Sequence, residues 1–164
     1  MLDDEKVLKQ IHDTMVHKQF VLKSCFLMAE HLYNEGQKDL ALSLMQRAAN
    51  HDNSKFNKEE LYNLALINDN NMSFINPNSK LDKENEKLIE LHWKNNSHHP
   101  EHFENYDDMS ELDIIEMVCD WHARSSEFGT DLMEFFETRQ KNRFHFSDEQ
   151  YNKIKNYCQI IILL

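Results

Sequence analysis

Two glycines and two prolines in a chain of 164 residues leave few positions where the backbone can take a positive φ or a fixed kink. Average usage would supply about 20 of these residues. Closely spaced β-hairpins depend on them at their turns, which argues against a β-sandwich or barrel. The glycine fingerprints of P-loops and of dinucleotide-binding turns are also missing. The chain has to be built from elements that need few breaks, which means helices.

The apolar spacing agrees. From about Asp3 to Tyr33, Val7, Ile11, Met15, Phe20, Val21, Leu27 and Met28 follow helical spacing, with a bend near Thr14, and Asn34-Glu35-Gly36 ends the run. A second helix is expected from about Lys38 to Asp52, with Leu40, Leu44, Ala48 and His51 on one face. Asn57 and Glu60 read as a capping box for a third helix, through Leu61, Leu64 and Ala65. The asparagine-rich stretches 68–71 and 76–78 read as a loop. Ser79 with Asp82 then opens a fourth helix carrying Leu88, Leu91, His92 and Asn95, which must stop before Pro100. Ser110 or Asp108 caps a fifth, through Ile115, Cys119 and Ala123 to Gly129; Thr130 opens a sixth, and Ser147 with Gln150 caps a seventh. Hydrophobic residues make up 40% and charged residues 29%, enough for a core and its polar cover. Residues 1–164 are therefore read as one all-α domain, a helical bundle of six to seven helices.

The 29 acids against 18 bases give a net charge of −11, which repels phosphate backbones and argues against polymeric nucleic acid as a partner. A small phosphorylated substrate stays compatible, because a bound metal reverses the field inside a pocket. Cys25, Cys119 and Cys158 are scattered and without a CxxC pair, as expected of core thiols in a reducing compartment. The start, Met1-Leu2-Asp3-Asp4-Glu5, lacks the features of a signal peptide, and the tail Ile160–Leu164 is too short to span a bilayer. A soluble cytoplasmic protein without a membrane partner is expected, in the host cytoplasm if the source is viral. The tail either closes the core or packs in a homodimer.

Ten histidines are the unusual count. His51 and Asp52 adjoin at the expected end of a helix, where two ionisable side chains need partners if buried. A divalent cation satisfies both. His17 lies on the preceding helix, and Asp120 sits among Met117, Val118, Cys119 and Trp121, apolar company in which a carboxylate needs a counter-charge. His31 lies about 21 Å from His17 along a continuous helix and cannot share its ion. His12, His122 and His145 are expected at the surface or in local caps; Trp93, Trp121, Phe135 and Phe136 in the core.

The order His17, His51-Asp52, Asp120 resembles the ligand order of the HD phosphohydrolase superfamily, which is all-helical. The resemblance implies an HD-like fold and metal-dependent hydrolysis of a small nucleotide or other phosphate ester, phosphomonoester or phosphodiester. These four residues would hold a cation (manganese, cobalt, nickel, zinc or iron, with magnesium admitted), with metal water as nucleophile and Asp52 accepting its proton. Lys55 matches the lysine of the HDxxK form of the motif, which contacts substrate phosphate. Arg124, one turn beyond Asp120, either adds a forked phosphate contact or pairs with Glu127 or Asp120. His92, His98 and His99 resemble the histidines that hold a second ion in two-metal relatives, although their spacing is closer. They either ligate that ion or form a hydrogen-bonding turn that shapes the pocket. His98, His99 or Glu101 would protonate the leaving oxygen. The strings HDNSKF, ELHWKNNSHHPEHF, MSELDIIEMVCDW and RQKNRFHFSDEQ resemble an uncharacterised family of HD-like proteins from bacteriophages and bacteria, over roughly residues 12–155. Two other functions fit the same residues: a di-iron HD-type oxygenase, and a non-catalytic module whose helices a metal staples.

Overall fold

A computed structural model describes residues 4–69 and 83–164. These form seven helices and no strand, counting the continuous stretch 132–143 as one. The first, α1 (Asp4–Asn34), runs 31 residues without a break at Thr14. Thr14, His17, Val21, Cys25, Met28 and Leu32 are buried at three- and four-residue spacing along it. Gly36 takes φ 85°, which only glycine adopts without strain, and Gln37 N–H donates back to Leu32 O (2.8 Å). That turn sends α2 (Lys38–Asn50) back along α1 with Ala41, Leu44 and Ala48 buried.

The second helix is expected to include His51 and Asp52 but ends at Asn50. Asp52 sits at φ 56°, the only non-glycine positive φ among the described residues, so it cannot continue a helix. A 3-10 turn (Asn53–Phe56) leads into α3 (Lys58–Asp69). Asn68 and Asp69, expected in a loop, close that helix; positions 70–78 of the expected loop and the Ser79–Asp82 start signal lie outside the described residues. After α4 (Lys83–Asn95) come two 3-10 turns, Pro100–His102 and Tyr106–Asp108.

The central helix is α5 (Glu111–Phe128). Ser110 caps it in a reciprocal box with Asp113, and Gly129 ends it in the left-handed conformation. The stretch 132–143 comprises α6 (Leu132–Phe135), a π-helical turn (Phe136–Gln140) and α7 (Lys141–Arg143). Its cap is Asp131, not the expected Thr130: the Asp131 carboxylate accepts from Glu134 N–H (2.7 Å). Ser147 caps α8 (Asp148–Ile162). The tail divides, with Ile161 buried and Leu163 85% exposed.

The core lies where α1, α2, α5 and α8 meet, around Val21, Met28, Leu44, Ile114, Ile115, Val118 and Ile154. Trp121 joins it, stacked at 6.1 Å on Phe136. A smaller cluster, Leu64, Ile67 and Ile89 with Trp93 against it, ties α3 to α4. Because α5 is covered on several sides, it buries Asp113, Glu116 and Asp120 together with its apolar residues. Those acids share one face and need partners from α1 and α2.

Candidate metal centre

The partners are histidines. Nε2 of His17 stands 2.8 Å from Asp120 Oδ1, and Nε2 of His51 stands 3.8 Å from the same oxygen. The left-handed turn at Asp52 places its carboxylate beside this group, with Oδ2 3.5 Å from His51 Nε2. Its other oxygen, Oδ1, is 3.6 Å from Nε2 of His92 and 3.6 Å from Nε2 of His98. Nε2 of His99 lies 2.8 Å from Nε2 of His92. Two sets of donor atoms thus adjoin, His17–His51–Asp120 and Asp52–His92–His98–His99, each with its atoms within 4.8 Å of one another. A third set, His51–His98–Glu116, overlaps both.

Two tests bear on whether a metal fits. Among the described residues, Nε2 of His51, Nε2 of His98 and Oδ1 of Asp52 are buried without a hydrogen-bond partner, a costly arrangement for polar atoms. His51 Nε2 stands 3.5 Å from Asp52 Oδ2 and 3.8 Å from Asp120 Oδ1, and His98 Nε2 stands 3.6 Å from Asp52 Oδ1, long for hydrogen bonds but close to the spacing of ligands each about 2.1 Å from one ion. The second test is ring orientation. His17 Nδ1–H donates to Glu127 (3.2 Å), His51 Nδ1–H to Glu116 (2.9 Å) and His92 Nδ1–H to Glu60 (2.7 Å). At His51 and His92 the carboxylate fixes the tautomer that turns the lone pair of Nε2 inward, the usual support of a metal-ligating histidine, while the His17 ring lies between two carboxylates, Glu127 at Nδ1 and Asp120 at Nε2. The residues fit a metal.

The electrostatics agree with that assignment. Burial opposes the charge of Asp52, yet His51, Lys55, His92 and His98 hold its carboxyl well below the usual carboxylate range. Burial likewise opposes charge on Asp120, and the bond to His17 holds it well below that range. Burial, reinforced by His51, pushes His98 far down; burial with His98 and His92 does the same to His99. At Asp52, Asp120, His98 and His99, an ionised carboxylate beside a neutral imidazole is the combination that metal ligation requires. His51 is moved up: burial opposes its charge, but Asp52, Glu116 and Asp120 outweigh it.

Lys55 is buried with Nζ 2.6 Å from Asp52 Oδ2. Lys18 reaches the His51 carbonyl and Asn53 Oδ1 (2.7 Å), bracing the turn. Arg124 donates to Glu127 (3.0 Å), with its side chain 41% exposed. Glu101 pairs with Arg143, and burial raises its carboxyl against that cation. His12 and His145 are exposed, His102 donates to Trp93 O (3.1 Å), and His122 meets Ser24 Oγ (3.0 Å).

Glu60, Glu116 and Arg47 emerge only from the structure. Glu60, read from the sequence as half of a capping box, has a buried carboxylate that accepts from Ser54 (2.8 Å), His92 and Asn95 (3.2 Å). Arg47 grips Asp113 (2.6 Å) and Glu116 (2.5 Å), so α2 positions the acid that holds His51. The sequence does carry a signal for the α5 acids. Asp113, Glu116, Asp120 and Glu127 stand at i, i+3, i+7 and i+14, one helical face.

Over residues 6–160 the chain matches the Family of unknown function (DUF5662), and it belongs to that family. No curated protein and no solved structure is significantly similar to it. Among the described residues no helix is long and apolar enough to cross a membrane.

Proposed function

We propose that this member of the DUF5662 family is an HD-type metal-dependent phosphohydrolase acting on a small nucleotide or another phosphate ester. The observation that supports it is Asp52. One ionised carboxylate stands between two sets of inward-facing imidazole nitrogens, with the Lys55 ammonium on its Oδ2. The donors are nitrogen and oxygen, with no cysteine in any of the three sets, which suits manganese, cobalt, nickel, zinc or iron.

When bound, one or two such ions supply Lewis acidity toward a phosphoryl oxygen and lower the pKa of a water. His17, His51 and Asp120 would hold one ion, and His92, His98 and His99 with Asp52 would hold a second; Asp52 also stands 3.5 Å from His51. Lys55 contributes a preset cation for a non-bridging phosphate oxygen. His98 and His99, kept neutral by burial, are better suited to ligation than to proton donation. Glu101 is shifted toward holding a proton, which makes it the stronger donor for the leaving oxygen. Arg124 would have to release Glu127 before it could fork onto phosphate.

The test is turnover of nucleoside monophosphates, cyclic dinucleotides and a generic diester with each divalent metal. The proposal expects turnover with a transition metal and its loss in Asp52→Ala. No turnover with any metal, or wild-type turnover in the variant, overturns it. The three histidines of the second set also favour another reading, oxygen chemistry at two irons. Two irons with a visible absorption band, found without phosphoesterase activity, would support that reading instead.

A further inference from the structure

The outer face of α1 carries a line of large apolar side chains among its polar ones. Leu8, Met15, Leu22, Phe26 and Tyr33 are 44–65% exposed. Their spacings of seven, seven, four and seven residues place all five within an arc of about 40° at 100° per residue, along about 38 Å of helix. Single exposed hydrophobes are ordinary, but a continuous line of five is not. Steps of seven and four residues keep these side chains along the line on which two helices pack. The core-facing side of α1 is already occupied by Val21, Cys25, Met28 and Leu32, so this line is a second, separate face.

We infer that this face joins two copies of the chain, with the α1 helices packed antiparallel. The seam is complementary to itself in that orientation. Pairing residues whose numbers sum to 41 sets Leu8 against Tyr33 of the second copy, Met15 against its Phe26 and Leu22 against its Gln19. The same register brings Lys9, which pairs with Asp13 in its own chain, near Glu30 of the second copy. A parallel pair would instead bring His12 and Gln19 each against its own equivalent. Five half-exposed large side chains offer on the order of 100 Å² apiece. About 1,000 Å² is therefore covered across the pair, the lower bound for a specific interface. A membrane surface fits worse: the exposed side of α1 mixes Glu5 and Glu30 with Lys9 and Lys23 and lacks the basic flank of an interfacial helix, on a chain of net charge −11.

Sedimentation velocity of the full chain across the micromolar range should give twice the chain mass. Met15→Glu with Phe26→Glu should give a monomer with an unchanged helical circular dichroism spectrum. A wild-type chain that stays monomeric throughout overturns the inference, as does a helical double variant that stays dimeric. Mixing Met15→Cys protein with Phe26→Cys protein under mild oxidation should yield a cross-linked heterodimer. Preferential self-linking of Met15→Cys would overturn the antiparallel register.

Discussion

His17, His51 and Asp120 come from α1, the end of α2 and α5, whereas His92, His98 and His99 fall within eight consecutive residues at the end of α4 and the turn after it. The first set is assembled by long-range packing, and both of its rings are anchored by carboxylates, Glu127 and Glu116. Among the described residues, only His92 of the second set has such an anchor, Glu60. His98 Nδ1 lies 3.6 Å from Glu116, too far for a hydrogen bond, and the ring of His99 meets the His92 ring. Donors held by several helices lose less freedom on taking up an ion, so the first set should bind more tightly than the second. Asp52 lies between the two, 3.5 Å from His51 and 3.6 Å from both His92 and His98.

That contrast can be broken at its joint. Asp52→Ala removes the carboxylate between the sets and should lower turnover by about 10³-fold, with metal content falling at both sets by plasma mass spectrometry. Loss confined to one set would mean that Asp52 serves that set alone. A smaller effect is expected from chelation. An ion held at 100 times its dissociation constant contributes about 2.7 kcal/mol, so EDTA should lower Tm by about 5–10 °C in calorimetry. Readdition of metal should restore it in two steps, the tighter first.

The anchoring carboxylates separate the sets more finely. Glu127→Gln should weaken the tighter ion by about 10–100-fold, and Glu60→Gln the weaker ion by a similar factor, read by titration calorimetry. Equal effects of either variant on both ions would erase the distinction. The smallest effect belongs to the scaffold. Asp113→Asn disturbs the capping box of α5 and the bond to Arg47 and should cost about 1–2 kcal/mol in urea unfolding, leaving metal stoichiometry unchanged. Burial opposes the Asp113 charge, yet bonds from Ser110, Ser97 and Arg47 hold its carboxyl below the usual range. A lowered folded pKa means that the unfolded chain binds the proton more readily. This contribution is therefore full above about pH 4 and is lost as the pH falls. The gap between wild type and variant should narrow in acid.

The helices were legible because so little in the chain can interrupt one, and because Ser110, Gly129 and Ser147 mark their ends by side-chain chemistry. The His51-Asp52 pair stood out for the same local reason. What single residues could not reveal was the left-handed turn at Asp52, which ends α2 early and turns one carboxylate toward two histidine sets. Glu60 carried a plausible capping role that hid its bond to His92. Glu116 and Glu127 were lost among 29 acids, since only their shared helix face distinguishes them. The short chain distance from His92 to His98 argued against a second ion, but the end of α4 and the following turn fold both rings onto Asp52.

The most direct measurement is anomalous diffraction from crystals grown with manganese. Two peaks are predicted on either side of the Asp52 carboxylate, one ligated by His17, His51 and Asp120 and the other by His92, His98 and His99. A metal-soaked crystal with no peak at Asp52, and with those nitrogens hydrogen-bonded among themselves, would contradict the account.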